Sequence, residues 1–332
     1  VPYLPSPELS GRDLARNTHA AFSGASSRPR AIAFVNSERI ADDLCEDLDL
    51  VLWLPFNFSP PPRRLRSYIA SRGPTQVLAL TNWAQSSLKE NGIESTYMPH
   101  GVDRSVFTPA PDRGIVMRER LGLGRGAFVA GFVGANNEWF GNRKSLPEIL
   151  AAFSAFAATH ADAYLYLHTD MSGRLLGEGL DVLAIAEQFA PLSGRLLYTS
   201  PAEYERGWSR SEIADLYRAM DVLVAPSAGE GFGIPVIEAQ ACGIPVIVSN
   251  WATQAELVGS GWGVGGQPRW AHWVGSWQFT PDIQDLVSAM ERAYAGPRPP
   301  LADAVRFTDP YDHEEVIVRH WTPFLEGWLG RQ

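Results

Sequence analysis

Read for its apolar and polar positions, the chain alternates short apolar runs with longer stretches of helical period. Runs at 128–133, 163–167, 195–198, 222–225 and 245–248 have the length and continuity of strands buried on both faces. Between them apolar residues recur at i, i+3, i+4 and i+7, as in Leu146, Ile149, Leu150 and Phe153. Ile213, Leu216, Tyr217 and Met220, then Ile283, Leu286, Val287 and Met290, repeat the period. Strand then helix, repeated, predicts a parallel sheet covered on both faces, whose ligands bind outside the carboxyl ends of the strands. Earlier runs at 31–35, 50–54 and 77–80 predict a second set of parallel strands. The first 30 residues, rich in Ser, Pro and Arg, carry no period and predict no element.

The two sets are separated by 107–114, where two prolines and a glycine interrupt any period and predict a linker. Charge changes at the same place. Residues 1–108 hold 11 basic and 11 acidic side chains, and the rest hold 17 and 26, so the second part carries the whole net charge of -9. That field repels a long polyanion and argues against a nucleic-acid partner. With 332 residues, 45% apolar and 20% charged, the chain can fill two domains with ample core.

Two cysteines, Cys45 and Cys242, are too few for a disulfide framework or a thiolate zinc site, which favours a reducing compartment. No apolar run approaches the roughly 20 residues that cross a bilayer, and the first ten residues lack the pattern of a secretion signal. A soluble, cytoplasmic protein is expected. The histidines show no metal-ligand spacing, so no metal is expected.

The densest chemistry lies in Asp221 to Ser249, which reads as strand, glycine-rich loop, short helix and strand. Gly229, Gly231 and Gly233 let the backbone approach a ligand closely, and the helix start behind them, with Pro235 in its first turn, offers unpaired amides to an anion. Glu230 and Glu238 stand eight positions apart at the same mouth, and carboxylates accept hydrogen bonds from vicinal hydroxyls. A Gly-x-Gly turn alone is also an ordinary strand-to-helix connection.

The whole string resembles the Glu-x7-Glu signature of retaining glycosyltransferases of the GT-B fold, family 4, in which Glu-Gly-Phe-Gly-Ile-Pro-Val-Ile-Glu-Ala matches nearly residue for residue. Tyr97-Met-Pro-His-Gly-Val-Asp-Arg-Ser-Val-Phe-Thr-Pro109 is similar to that family's interdomain segment. Gly131-Phe-Val-Gly-Ala-Asn followed by Asn142, Arg143 and Lys144 is similar to the opening of its donor domain. Glu212 to Asp221 resembles the helix before the signature, and Glu256-Leu-Val the segment after it. The likeness covers about 76–265.

The resemblance implies an α/β fold of two Rossmann-like parallel-sheet domains facing a cleft. An acceptor-side domain of unusually small size takes 1–108, a nucleotide-sugar domain takes 109–310, and a terminal helix in 311–332, around His320 to Leu329, crosses back. It implies a nucleoside diphosphate sugar as donor, bound without a metal or other cofactor. Arg143 and Lys144 would neutralise the diphosphate. The amides of Gly231, Phe232 and Gly233, with Ile234 behind them, would face sugar and phosphate. Glu230 would grip the transferred sugar and Glu238 the donor ribose, with Asn136, Asn137 and His168 also at the donor mouth. Arg143 and Lys144 fit that task chemically, since cations aimed at a leaving diphosphate stabilise its developing charge, whereas two cations at a helix start oppose its dipole.

The first domain departs from the family in its length, with only 108 residues before the linker, and in lacking the glycine-rich first strand-loop-helix. Asn57, after the strand at 50–54, is the candidate on the acceptor side. His100 either lines the cleft or caps a strand end. The acidic run Asp42, Asp43, Glu46, Asp47 and Asp49 reads as a solvated helix face. Arg63, Arg64 and Arg66 read as a solvated loop, with a phosphate-bearing acceptor or peripheral contact with an anionic membrane as the other reading. Trp262, Trp270, Trp273 and Trp277 pack together or stack on sugar faces.

The expected activity is transfer of a sugar, with retention, to a hydroxyl of a glycan, lipid or small molecule. A nucleotide-sugar epimerase or phosphorylase of the same fold, and a non-catalytic carbohydrate-binding subunit, are the rival readings. The sequence names neither base, sugar nor acceptor.

Overall fold

The structure is a computed structural model and describes residues 30–34, 36–37, 49–72, 76–136, 142–175 and 179–330. Two parallel sheets organise it. The first runs β1 (Arg30–Phe34), β2 (Asp49–Leu54), β3 (Gln76–Ala79) and β4 (Thr96–Tyr97), in that spatial order. The second contains β5 (Phe128–Val133), β6 (Ala163–His168), β7 (Leu196–Tyr198), β8 (Val222–Ala225), β9 (Val246–Ser249) and β10 (Gly261–Val264). Its spatial order is β10-β9-β8-β5-β6-β7, the doubly wound Rossmann order, with the chain reversing its direction of travel across the sheet between β5 and β8.

Strand alternation explains the layers. Phe128, Ala130 and Phe132 point into one core with Leu146, Phe153, Leu286 and Met290, while Val129 points into the other with Leu216, Tyr217 and Ile237. The helices Leu146–Ala157 and Ile283–Ala295 thus cover one face, and Arg210–Ala219 and Ile234–Ala241 the other. In the first sheet Leu50, Leu52 and Leu54 face one core. Val51, Leu78 and Met98 face Trp328 of the last helix, Thr322–Leu329, which returns to this sheet. Among the described residues no helix is long and apolar enough to cross a membrane.

Several local expectations change. The linker ends at Ala110, because Pro111 opens the helix Pro111–Arg120 with its fixed φ and the missing donor costs nothing at that position. Gly114 sits inside that helix where an added Cβ would lie 2.3 Å from the Arg218 carbonyl oxygen, so it serves close packing rather than a turn. Arg63, Arg64 and Arg66 lie on the helix Arg63–Arg72 and not in a loop, exposed beside the buried Leu65 and Tyr68. Asp49 opens β2 and pairs with Arg30 at 3.3 Å, not on a helix face, and the other four acids of that run lie outside the described residues.

An antiparallel hairpin, β11 (Gly266–Ala271) and β12 (Ser276–Pro281), is an element the apolar pattern did not predict. Its tip buries Ala271 and Val274 in the core of the first sheet, and Trp273 meets Phe58 edge-on. Trp270 and Trp277 pair across the strands at 5.0 Å with their outer surfaces exposed.

Candidate functional site

The glycine-rich loop leaves β8 where the sheet order reverses, opposite the exit of β5. Gly233 precedes the helix Ile234–Ala241 with φ +105, a conformation that strains any residue bearing a Cβ, and no side chain caps this start. Among the described residues no acceptor engages the amides of Gly231, Phe232 or Gly233. The loop is pinned from both sides: Ala228 N donates to the Arg143 carbonyl at 2.7 Å, and Phe279 N of the hairpin donates to the Ala228 carbonyl at 3.1 Å.

Two cations reach the loop from 142–145. Asn142 caps the helix Leu146–Ala157 by accepting from Leu146 N at 3.1 Å and donates to Glu148. Arg143 and Lys144 are thereby turned toward the loop, where Lys144 Nζ lies 2.5 Å from Glu230 Oε1 and Arg143 Nη1 3.1 Å from Oε2. Ser227 Oγ donates to Oε1 at 2.7 Å. Burial alone pushes the Glu230 carboxyl up, but the opposing pull of Lys144 and Arg143 prevails and holds it down at about 2. The acid is ionised at any working pH.

Glu238 has the opposite environment. Burial raises its carboxyl to about 6 against the hydrogen bond that Tyr217 Oη donates to Oε2 at 3.0 Å and the pull of Arg210. It borders a cavity of about 340 Å³ lined also by Val133, Gly134, His168, Tyr204 and Trp208. The His168 ring tilts against Tyr204 and Trp208 at 5.3 and 5.1 Å, and its Nδ1 shares a hydrogen bond with Thr199 Oγ1 at 2.7 Å. Burial lowers its pKa to about 4, so the ring is neutral. The slot is largely aromatic and apolar, with Arg210 and Glu238 as the charged residues of its lining.

The other sequence candidates fall in different places. Asn136 does not offer its carboxamide to the donor mouth: Nδ2 donates to the Asp170 and Leu180 carbonyls at 2.7 Å each, and Oδ1 accepts from Leu180 N at 2.9 Å. It tethers the exit of β5 to the loop after β6. Asn137 lies outside the described residues. Ile234 is 39% exposed, whereas Phe232 is buried between His100 and Tyr311 at 5.4 and 5.7 Å. His100 lines the seam between the halves and caps no strand: its ring also contacts Trp53 at 4.7 Å, and burial lowers its pKa to about 4.

Asn57 meets the signature loop directly. An added Cβ on Gly229 would lie 2.8 Å from the Asn57 carbonyl oxygen, and one on Gly231 2.4 Å from Pro55 Cβ. At Gly229 and Gly231 the group admitted is therefore the segment after β2, and not the ligand that the sequence suggested. Asn57 Oδ1 is buried and has no hydrogen-bond partner among the described residues. Of the four tryptophans, Trp273 packs into the first core, Trp262 packs against the second, and only Trp270 and Trp277 present open faces.

Sequence reasoning missed Ser227, Tyr217 and Trp208 as members of the site, while Tyr204 lies in the segment 198–204 that it assigns to the donor base. Tyr217 occupies a core position of the helical period, which conceals that its hydroxyl reaches Glu238. A second cavity, about 330 Å³, opens at the amino ends of the strands, where Arg118 and Arg298 already pair with Asp221 at 2.8 and 2.7 Å. Among the described residues no three His, Cys, Asp or Glu side chains gather as a metal site would require.

The comparisons with known proteins agree with this geometry. Residues 127–295, just over half of the chain, match the model of the glycosyl transferases group 1 family. The D-inositol 3-phosphate glycosyltransferase of Stackebrandtia nassauensis is 32% identical over 155 residues, 46% of this chain and 33% of that protein. Its namesake from Mycolicibacterium vanbaalenii is 30% identical over 189 residues, 57% of this chain and 39% of that protein. The match thus spans only a third to two-fifths of those relatives.

Solved structures share the fold across more of the chain. Sucrose-phosphate synthase from Thermosynechococcus elongatus superimposes on 99% of it, and this chain covers 81% of that one, with a TM-score of 0.73 at 16% identity. Anabaena HepE in complex with UDP and glucose superimposes on 85%, with 72% of its own chain covered, a TM-score of 0.61 and 20% identity. Two Rossmann-like halves facing a cleft make this the GT-B architecture. With the family match lying over the sheet that carries the signature loop, the chain belongs to the group 1 glycosyltransferases.

Proposed function

We propose that this chain transfers a sugar from a nucleoside diphosphate sugar to an acceptor hydroxyl, with retention at the anomeric carbon. One observation carries the reading: a loop at the reversal of sheet order brings an ionised acid, two cations and unengaged helix-start amides together, beside an aromatic slot closed by a second acid. Arg143, Lys144 and the amides of Gly231, Phe232 and Gly233 take the diphosphate. The slot with His168 takes the nucleoside, Glu238 its ribose hydroxyls, and Glu230 the hydroxyls of the sugar. UDP in Anabaena HepE supports a diphosphate nucleotide as ligand.

In the step, the bond from the anomeric carbon to the diphosphate oxygen breaks while the acceptor oxygen bonds to the same face. The acceptor proton passes to the departing phosphate, whose charge the two cations stabilise. Asn57 and the seam around His100 face the acceptor side. We assign the charge neutralisation to Arg143 and Lys144 and expect no metal requirement. The acceptor is a hydroxyl on a glycan, lipid or small molecule, and the inositol phosphate named for the relatives makes a phosphorylated polyol the first to test.

The test uses labelled UDP and GDP sugars with acceptor panels, reading the product anomer by NMR. An axially linked product from an axially linked donor, formed equally in chelator and lost in Glu230→Ala, supports the reading. Isomerised donor without transfer, or activity that chelator abolishes and magnesium restores, refutes it.

A further inference from the structure

We propose that Glu230 sets the preference of this site for a nucleotide sugar over the free nucleoside diphosphate, by competing with the phosphates for Arg143 and Lys144. The inference rests on the reading that these cations take the diphosphate. Its starting point is that a single carboxylate spans both cations, one oxygen on each, at 2.5 and 3.1 Å. Lys144 and Glu230 are only 12% and 13% exposed, so water screens their attraction poorly.

A diphosphate arriving at these cations must displace the acid. The acid then keeps the Ser227 hydroxyl at 2.7 Å, and among the described residues no other donor reaches its second oxygen. An ionised carboxylate left buried with too few donors is costly. A nucleotide sugar answers this, because its sugar hydroxyls donate to the carboxylate that its phosphates have uncovered. A free nucleoside diphosphate brings phosphates but no such hydroxyls. The carboxylate therefore penalises the bare diphosphate more than the donor, which also speeds departure of the leaving product.

Glu238 shows why this property belongs to one acid only. It sits at the same mouth but takes its hydrogen bond from the Tyr217 hydroxyl, and Arg210, which lines the same cavity and attracts it, forms no salt bridge with it among the described residues. A phosphate arriving there has no direct ion pair of Glu238 to break.

The experiment is calorimetric titration of the full chain with UDP, GDP, UDP-glucose and GDP-mannose, for wild type, Glu230→Gln, Glu230→Asp, Arg143→Ala and Lys144→Ala. Glu230→Gln is expected to bind the preferred free diphosphate about tenfold more tightly, the effect of removing one competing charge-assisted interaction. Its preference for the matching nucleotide sugar should shrink by at least that factor. Glu230→Asp keeps the charge but is too short to span both cations, so it gives a smaller gain in the same direction and serves if the Gln variant does not fold. Unchanged or weaker diphosphate binding in both Glu230 variants, with Arg143→Ala and Lys144→Ala weakened tenfold or more, overturns the competition and leaves the site reading intact. Diphosphate binding that is indifferent to both cation variants overturns the site reading and this inference with it.

Discussion

Replacing Tyr217 by Phe isolates one hydrogen bond at the donor mouth. The ring is fully buried and its hydroxyl donates to Glu238 Oε2 at 3.0 Å. Burial, and the neighbouring charge of Glu238, push the Tyr217 phenol well up, so it stays a donor throughout the working range. A hydrogen bond to a charged group contributes about 1.5 kcal/mol or more, which corresponds to about one pH unit in the carboxyl it serves. Removing it should carry the Glu238 carboxyl from about 6 to about 7. At pH 7 the ionised fraction then falls from about nine-tenths to about half, and at pH 6 from about half to about a tenth. Because the ionised form accepts ribose hydroxyls on both oxygens, affinity for nucleoside diphosphate should fall below pH 6 in the wild type and below pH 7 in the variant. Calorimetry from pH 5 to 8 reads both curves, Glu238→Gln removes the inflection, and a thermal melt excludes general loss of fold. Coincident curves for wild type and Tyr217→Phe would refute the argument.

Three further outcomes follow from the same contacts. Glu256 accepts from Asn82 N at 3.0 Å and Trp83 N at 2.7 Å, capping the helix Asn82–Glu90 from the opposite half, so Glu256→Ala should lower stability by about 1 kcal/mol and enlarge the radius of gyration by scattering. Gly231→Ala would set a Cβ 2.4 Å from that of Pro55 and displace the loop whose amides face the diphosphate, so it should cut transfer at least tenfold and also weaken nucleoside diphosphate binding read by calorimetry. Glu238 holds its proton more tightly folded than unfolded, so its contribution to stability is complete below about 4.5 and lost as pH rises through about 6. Melts across that window should show a decline that Glu238→Gln abolishes.

Much of the architecture was legible because strands buried on both faces write continuous apolar runs, as 128–133 and 222–225 do to the residue. The hairpin was not, since β11 is exposed along five of its six residues and shows no alternation, while the bridge from Trp277 of β12 to Ser59 is a pairing distant in sequence. In the site, residue types announced the chemistry of Glu230, Arg143 and Lys144, but not that the cations grip the acid itself. Gly229 and Gly231 likewise signalled a close approach, but the approaching group is Pro55 and Asn57 of the other half and not a ligand, because glycine registers only that a Cβ has no room. Asn136 misled for a related reason. A carboxamide at a strand exit suits a ligand and a backbone tether equally, and only the positions of Asp170 and Leu180 decide for the tether.

Those long-range pairings determine how the cleft can work. The hairpin begins and ends on the second half, where Phe279 stacks on Trp251 at 5.5 Å and donates to Ala228 of the signature loop. Its tip is embedded in the first half, and Trp277 N donates to the Ser59 carbonyl at 2.8 Å while Ser276 Oγ donates to that of Pro60 at 2.8 Å. One ribbon therefore holds both the loop bearing Glu230 and the segment bearing Asn57. Separation of the halves must draw buried Ala271 and Val274 out of an apolar core or bend the ribbon itself, and burial of such side chains opposes the first route. The Glu256 cap, by contrast, is two hydrogen bonds that water can replace at little cost. Opening should thus begin on the side of Glu256 and pivot about the hairpin, so that Asn57 keeps its place beside the signature loop as a donor enters.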